Sequence, residues 1–543
     1  MHTSTVFHAP GTIDACPMEG KMHLRLRAVK GALRGAVLVY NCNKNLWWEF
    51  RDEVPMHLSF TDSEFDYYSV SVAQTDTRFA YIFRLDCADG RERYLSEEGL
   101  TERYDHSLGY FSFFQYVSQF PCDLMHTPAW LRTASCYQIF PERFAIGSGG
   151  KDMGYVTARW GEKPTPKSFY GGDLNGIRQK LPYLQDLGVE LLYLTPVFCS
   201  PSNHKYDITD YETVDPAFGG NEALKALIDE AHGRKMRVML DGVFNHVSSS
   251  HPFFLDAKKR GKDSPYYDWF FFLPDGSYRT FASVPYMPKL NTGNGAVIRY
   301  FSDVAVRWMR DYGVDGWRLD VSDEISRRFL RRFREAVLAQ KPDALIIGED
   351  WHRAAQYLNG DEYDGLMNYG FTKACLDLLA FDAIDPPGFR DRVVRLYHTF
   401  SPAANEKMLN LLGSHDTDRF LTRVHGDGRK YRAAAAMLFF YPGIPCVYYG
   451  DEIGTEGGYD PDCRRCFDWD ETHWDGETHA LIRRLMHRKK EPALARGSFS
   501  LTERDGILTF VRSAPEQTLT LRLNATDKPR AGLAPFGFEI TET

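Results

Sequence analysis

Three carboxylates each close a short apolar run. Asp320 ends GVDGWRLD (313–320), Glu349 lies at the end of ALIIGED (344–350), and Asp416 ends MLNLLGSHD (408–416). A fourth run, RKMRVMLDGVFNH (234–246), sets Asp241 and His246 in the same situation. Short runs rich in Val, Ile and Leu, separated by helical patterns, read as strands of a parallel sheet. Polar residues gathered at several strand C-termini are where a (β/α)8 barrel builds its active site. Two or three acids converging there suggest cleavage of glycosidic bonds, in which one carboxylate attacks or activates and another donates a proton.

Each acid has neighbours that fit such work. Side chains alternate along a strand, so Arg318 and Asp320 point the same way, and the guanidinium should favour an ionised Asp320. Glu349 follows Leu345-Ile346-Ile347-Gly348, an apolar approach that should raise its pKa and keep it protonated as a general acid. Asp350 faces the other way on an ideal strand, yet its charge should push Glu349 in the same direction. His415-Asp416 supplies a third acid, suited to holding a sugar and the positive charge of the transition state. An Arg–Asp pair has a structural ion pair as its alternative, a His–Asp pair alone is more often a local hydrogen bond, and Asn245-His246 alone reads equally as structure; their joint placement at one rim favours chemistry.

The elements that must position these groups follow from the rest of the chain. At 543 residues it needs several domains. A net charge of −8 and a pI near 6.1 disfavour nucleic acid and anionic membrane surfaces, leaving neutral substrates. The N-terminus carries no signal-peptide pattern and no run has membrane-spanning length. The ten cysteines form no disulfide framework, and Cys463-Arg-Arg-Cys466 lacks a second pair for zinc. A cytoplasmic protein with reduced thiols is expected.

Residues 1–122 read as a β-sandwich module, with HLRLRAV (23–29) alternating Leu24 and Leu26 against His23, Arg25 and Arg27. PCDLMHTPAW (121–130) reads as a linker. Residues 123–494 alternate strand and helix, with strands expected in 136–140, 189–198, 237–244, 314–321, 345–351, 365–369, 408–416 and 444–450. Eight such strands predict an α/β fold, a closed (β/α)8 TIM barrel. Residues 247–292, rich in aromatics, are too long for a loop and predict an inserted subdomain after the third strand. Residues 495–543 predict a short C-terminal β domain.

The segments DGVFNH (241–246), GWRLDVSDE (316–324), IIGEDWH (346–352) and LLGSHDTDRF (411–420) resemble the four motif regions of the α-amylase family, in the same order. MPKLN (287–291) resembles the extra motif of the neopullulanase, cyclomaltodextrinase and maltogenic amylase group. YQIFPERF (137–144), PSNHKYDITDY (201–211) and YYGDEIGTEGGYDPDCRRC (448–466) are similar to that group over long stretches.

The resemblance implies retaining hydrolysis of α-glucosidic bonds in cyclodextrins and short maltodextrins, with pullulan a further candidate. Asp320 would be the nucleophile, Glu349 the acid/base and Asp416 the transition-state stabiliser. Tyr206 would stack on the sugar at the cleaved position, and Arg318, His246 and His415 would hold its hydroxyls and the acids. Phe281, Glu324, Trp351, Asp460 and Arg464 would line neighbouring subsites, while Asp241 would organise the others. No cofactor is required on this reading. The group often binds calcium, here through Gly171 and Asp173, but Ile146 stands where an oxygen ligand is expected. A homodimer is implied, with Trp47 and Trp48 as contact candidates, one of them buried as core. The alternatives are a transglycosylating glucanotransferase and an inactive glucan-binding relative.

Overall fold

All eight apolar runs contain a strand, each shorter than its run. In the computed structural model they are β1 (Cys136–Ile139), β2 (Leu191–Leu194), β3 (Arg237–Gly242), β4 (Gly316–Leu319), β5 (Leu345–Gly348), β6 (Gly365–Leu366), β7 (Leu409–Leu411) and β8 (Ile444–Tyr448). They form one parallel sheet in the order β6-β5-β4-β3-β2-β1-β8-β7, and a parallel bridge between Met367 and Leu409 brings its two edges together. The structure describes all residues except 1–4, 12, 19, 43–45, 77, 118–119 and 121–125.

Every residue of these strands is buried but Arg237, because helices cover the outside and side chains fill the inside. Helix Gly295–Arg307 buries Val297, Phe301 and Val304, and helices Leu174–Gln179 and Leu181–Leu187 bury Leu174, Ile177, Leu181 and Leu184. Inside, Tyr193, Met239, Ile347, Met367 and Leu411 belong to one apolar cluster. Strand alternation then sets which residues emerge above it. Asp241 stands two positions beyond Met239, and Glu349 two beyond Ile347, on the same inward face.

The N-terminal module is two antiparallel sheets. One contains Lys21–Val29 and Phe65–Ala73, the other Leu33–Asn41 and Arg78–Cys87. Leu24 and Leu26 enter its core as expected, but Arg25 is buried too. The strand's polar face is half-buried, and Arg25 lies against the barrel, where its Nη2 donates to the His398 carbonyl at 3.4 Å; nearby Arg395 binds Asp62 at 2.8 Å. Trp47 is buried and Trp48 exposed, on a turn rather than a strand. The first half of the expected linker, 121–125, lies outside the described residues.

Between β3 and β4, helix Pro252–Arg260 and isolated bridges pairing His246 with Lys289 and Phe270 with Leu290 form a knot of aromatics. Four antiparallel strands, Ser498–Arg504, Ile507–Ala514, Gln517–Asn524 and Phe538–Glu542, end the chain. Among the described residues no helix is long and apolar enough to cross a membrane.

Candidate active site

One guanidinium organises the rim. Arg318, fully buried on β4, donates from Nη1 to Asp241 Oδ1 at 2.9 Å and to Asp320 Oδ1 at 2.8 Å. Its Nη2 lies 2.9 Å from Glu349 Oε1. Three carboxylates therefore share one cation. This corrects the simple expectation for Asp320. Burial raises Asp320 well above the ordinary range, with Arg318 opposing it and Glu349 and Asp241 adding to it. Burial raises Glu349 as well, again against Arg318. Two such neighbours titrate as a pair and retain a proton that a solvated pair would release.

The negative charge that helps to raise Glu349 is that of Asp416. Asp350, expected in that role, points off the inward face; its Oδ1 accepts from the His352 backbone N–H at 2.8 Å, and its charge acts on Asp323. Asp416 behaves oppositely to the pair. Burial pushes it up, but His415 and Arg464 outweigh that and hold it well below the usual carboxylate range. His415 Nε2 is 3.0 Å and Arg464 Nη2 3.1 Å from its oxygens.

Around these acids opens a cleft of about 810 Å³. Asp320, Glu349, Asp416, Tyr206, His246, Phe281, Glu324, Trp351, Asp460 and Arg464 all line it. Arg318 and His415 do not. Both are fully buried beneath the acids and reach the carboxylates. The Tyr206 hydroxyl is tied to His415 Nε2 at 2.6 Å and to Asp241 at 3.0 Å, with its ring flat against the His415 ring. Asp241 also accepts from Tyr193 at 2.7 Å and is buried, which makes it an anchor for the others. His246 lies flat on Phe281, and burial lowers its pKa to about 3, leaving a neutral ring. Trp351 stacks on Tyr369 at 4.1 Å and presents its other face to the cleft. Glu324 is paired with Lys289 at the rim, and Arg464 Nη1 holds Asp460 at 3.0 Å. Gly171 and Asp173 lie outside the cleft.

Several lining residues were not anticipated. His204, within the quoted PSNHKYDITDY segment, lies against Tyr206. Leu376, Phe381, Asp418, Arg423 and Tyr459 come from helices and loops after β6, β7 and β8, and only the closed barrel brings them together. Val321 carries a second surprise. It adopts φ 48° and ψ 47°, a conformation that β-branched residues avoid. That turn aims its backbone N–H at Glu349 Oε2, 2.9 Å away. Asp320 Oδ2, by contrast, accepts from no protein group among the described residues.

Residues 138–490 match the family described as alpha amylase, catalytic domain, and residues 1–118 match the alpha amylase N-terminal ig-like domain. A cyclomaltodextrinase of Geobacillus thermopakistaniensis is 40% identical over 525 residues, covering 93% of this chain and 88% of its own. An intracellular maltogenic amylase of Bacillus subtilis is 38% identical over 543 residues, covering 96% and 91%. A solved cyclomaltodextrinase structure superposes with a TM-score of 0.91 at 37% identity, covering 97% of this chain and 92% of that one.

Proposed function

The chain belongs to the α-amylase family of glycoside hydrolases, and from that premise we propose that it opens cyclodextrins and shortens maltodextrins by a retaining, two-step hydrolysis. The observation that carries this reading is the single guanidinium joining Asp320 and Glu349. Arg318 holds Asp320 Oδ1 from Nη1 at 2.8 Å and Glu349 Oε1 from Nη2 at 2.9 Å, fixing both acids at one cleft, where Asp320 attacks and Glu349 donates the proton. With the proton that the pair retains on Glu349, Asp320 attacks the anomeric carbon as a carboxylate, while Arg318 fixes its Oδ1. Glu349, raised by burial, protonates the leaving oxygen and then, as a carboxylate, activates the water that releases the sugar. Asp416, held ionised by His415 and Arg464, faces the oxocarbenium charge. Trp351, Phe281, Phe381 and Tyr459 offer apolar faces along the cleft on which glucose rings can stack.

The names of the relatives support the choice of cyclodextrins and maltodextrins, and one of them, called intracellular, supports a cytoplasmic location. On the same reading the protein is a homodimer with exposed Trp48 at the contact. The test is a time course with β-cyclodextrin, maltoheptaose, pullulan and soluble starch, followed by proton NMR of the first product. Faster ring opening than starch cleavage, with the α-anomer appearing first, supports the proposal. An initial β-anomer excludes the retaining route, and no turnover of any substrate excludes the assignment. Sedimentation as a monomer at micromolar concentration excludes the dimer.

A further inference from the structure

The segment around Gly171-Gly172-Asp173 holds a cation of the chain's own. Lys151 Nζ donates to the Gly171 carbonyl at 2.5 Å and to the Ala217 carbonyl at 3.1 Å, and lies 2.7 Å from Asp173 Oδ2. An ammonium has three protons, and three acceptors surround this one. The remaining Asp173 oxygen, Oδ1, accepts the backbone N–H groups of Gly147 at 3.1 Å and Gly176 at 2.7 Å, the second capping helix Leu174–Gln179. The Asp173 side chain is 3% exposed and that of Lys151 19%, so the pair is sheltered from water.

These residues do not fit calcium. That ion takes six or more oxygen ligands at 2.3–2.6 Å. Here the carboxylate and both carbonyls are already engaged by an ammonium, and a second cation would meet its charge at contact distance. The upstream stretch Ala145-Ile146-Gly147-Ser148 offers no carboxylate, and the Ile146 side chain is exposed. Among the described residues no three His, Cys, Asp or Glu side chains converge on a metal-sized space.

We propose that Lys151 takes the place of the calcium ion implied for this position, so that residues 145–173 are locked onto the barrel without metal. The ammonium ties three separate segments, at 151, 171–173 and 217. Just before it, the Pro166 and Ser168 carbonyls accept from Asn203 Nδ2 at 3.1 and 2.8 Å. Asn203 precedes His204, which lines the cleft, so the lysine stabilises one wall of the site.

The experiment is metal analysis of the full-length protein purified without chelator, together with thermal unfolding in EDTA and in millimolar calcium. The expected result is far less than one calcium per chain and a Tm unmoved by either addition. Lys151→Met, which keeps the stem and removes the charge, should lower Tm by about 3 °C. One bound calcium per chain, a Tm raised by calcium or lowered by EDTA, or a Lys151→Met variant as stable as its parent would each overturn the proposal. The wild-type measurements decide it even if the variant does not fold.

Discussion

The two ends of β4 carry opposite charge arrangements. At its N-terminal end, Asp315 is one buried carboxylate among several donors: Arg237 Nη1 at 3.2 Å, the His232 ring at 2.7 Å, the Lys341 ammonium and the Val238 backbone N–H at 2.8 Å. Burial pushes its pKa up, but His232 and Lys341 reverse that and hold it below the usual range. At the C-terminal end, one buried cation faces three carboxylates, and burial leaves Asp320 and Glu349 raised. The first cluster favours the folded state at neutral pH; the second opposes it and keeps reactive groups in tension. Barrels separate stability and catalysis between their two faces in this way, and here a single strand of a few residues spans both.

The largest expected effect breaks the reactive end. If Asp320 is the nucleophile we propose, Asp320→Asn should lower kcat by about 10⁴-fold or more. Because it removes one of three crowded carboxylates, it should leave Tm unchanged or raise it by about 1–3 °C. A large loss of stability in calorimetry would show that the crowding is not a cost. Glu349→Gln should reduce kcat by about 10²–10⁴-fold for substrates with poor leaving groups. On the proposed mechanism Glu349 must start protonated, so wild-type activity should fall as pH rises past its raised pKa. The variant's kcat/KM profile should lose that alkaline limb, and an unchanged limb would assign it to another group.

Asp315→Asn probes the other end, with stability and activity exchanged. It leaves Lys341 and Arg237 around an uncharged amide and should destabilise the fold by about 3–5 kcal/mol. At temperatures where the variant stays folded, kcat should be that of the parent. The pH dependence has a fixed sign. A carboxylate whose folded pKa is depressed contributes stability above its unfolded value of about 4, and that contribution is lost as pH falls through the folded value. Acid unfolding monitored by circular dichroism should therefore be steeper in the parent than in the variant; equal slopes would deny Asp315 its role.

How much of this was legible beforehand depended on whether a side chain or the main chain carries the interaction. Asp320, Glu349 and Asp416 end apolar runs, so strand alternation and barrel closure place them together without any knowledge of loops. The same parity rule sends Asp350 away from the site, and its charge acts on Asp323. Arg318 was legible as a partner of Asp320, but its sharing with Asp241 and Glu349 depends on register across three strands. The burial of Arg25 was hidden because a strand's polar face looks alike whether it meets water or another domain. The acceptors around Lys151 are mostly backbone carbonyls, which leave no trace in residue type.

Val321 is the extreme case, since nothing about a valine announces a left-handed backbone. The conformation costs about 1–3 kcal/mol and persists next to Glu349, the proposed acid/base, where the turned N–H lowers its pKa against the dominant effect of burial. Glycine adopts this conformation freely and would no longer hold the N–H so firmly. Val321→Gly should therefore change stability little, because relief of strain offsets the lost side chain. A weakened hydrogen bond of this kind is equivalent to about half a pH unit, so the alkaline limb of kcat/KM should move upward by that amount. A purely structural role would alter Tm and leave the limb in place. The opposite result, a displaced limb at constant Tm, would show that the strained turn at the top of β4 sets the proton affinity of the residue beside it.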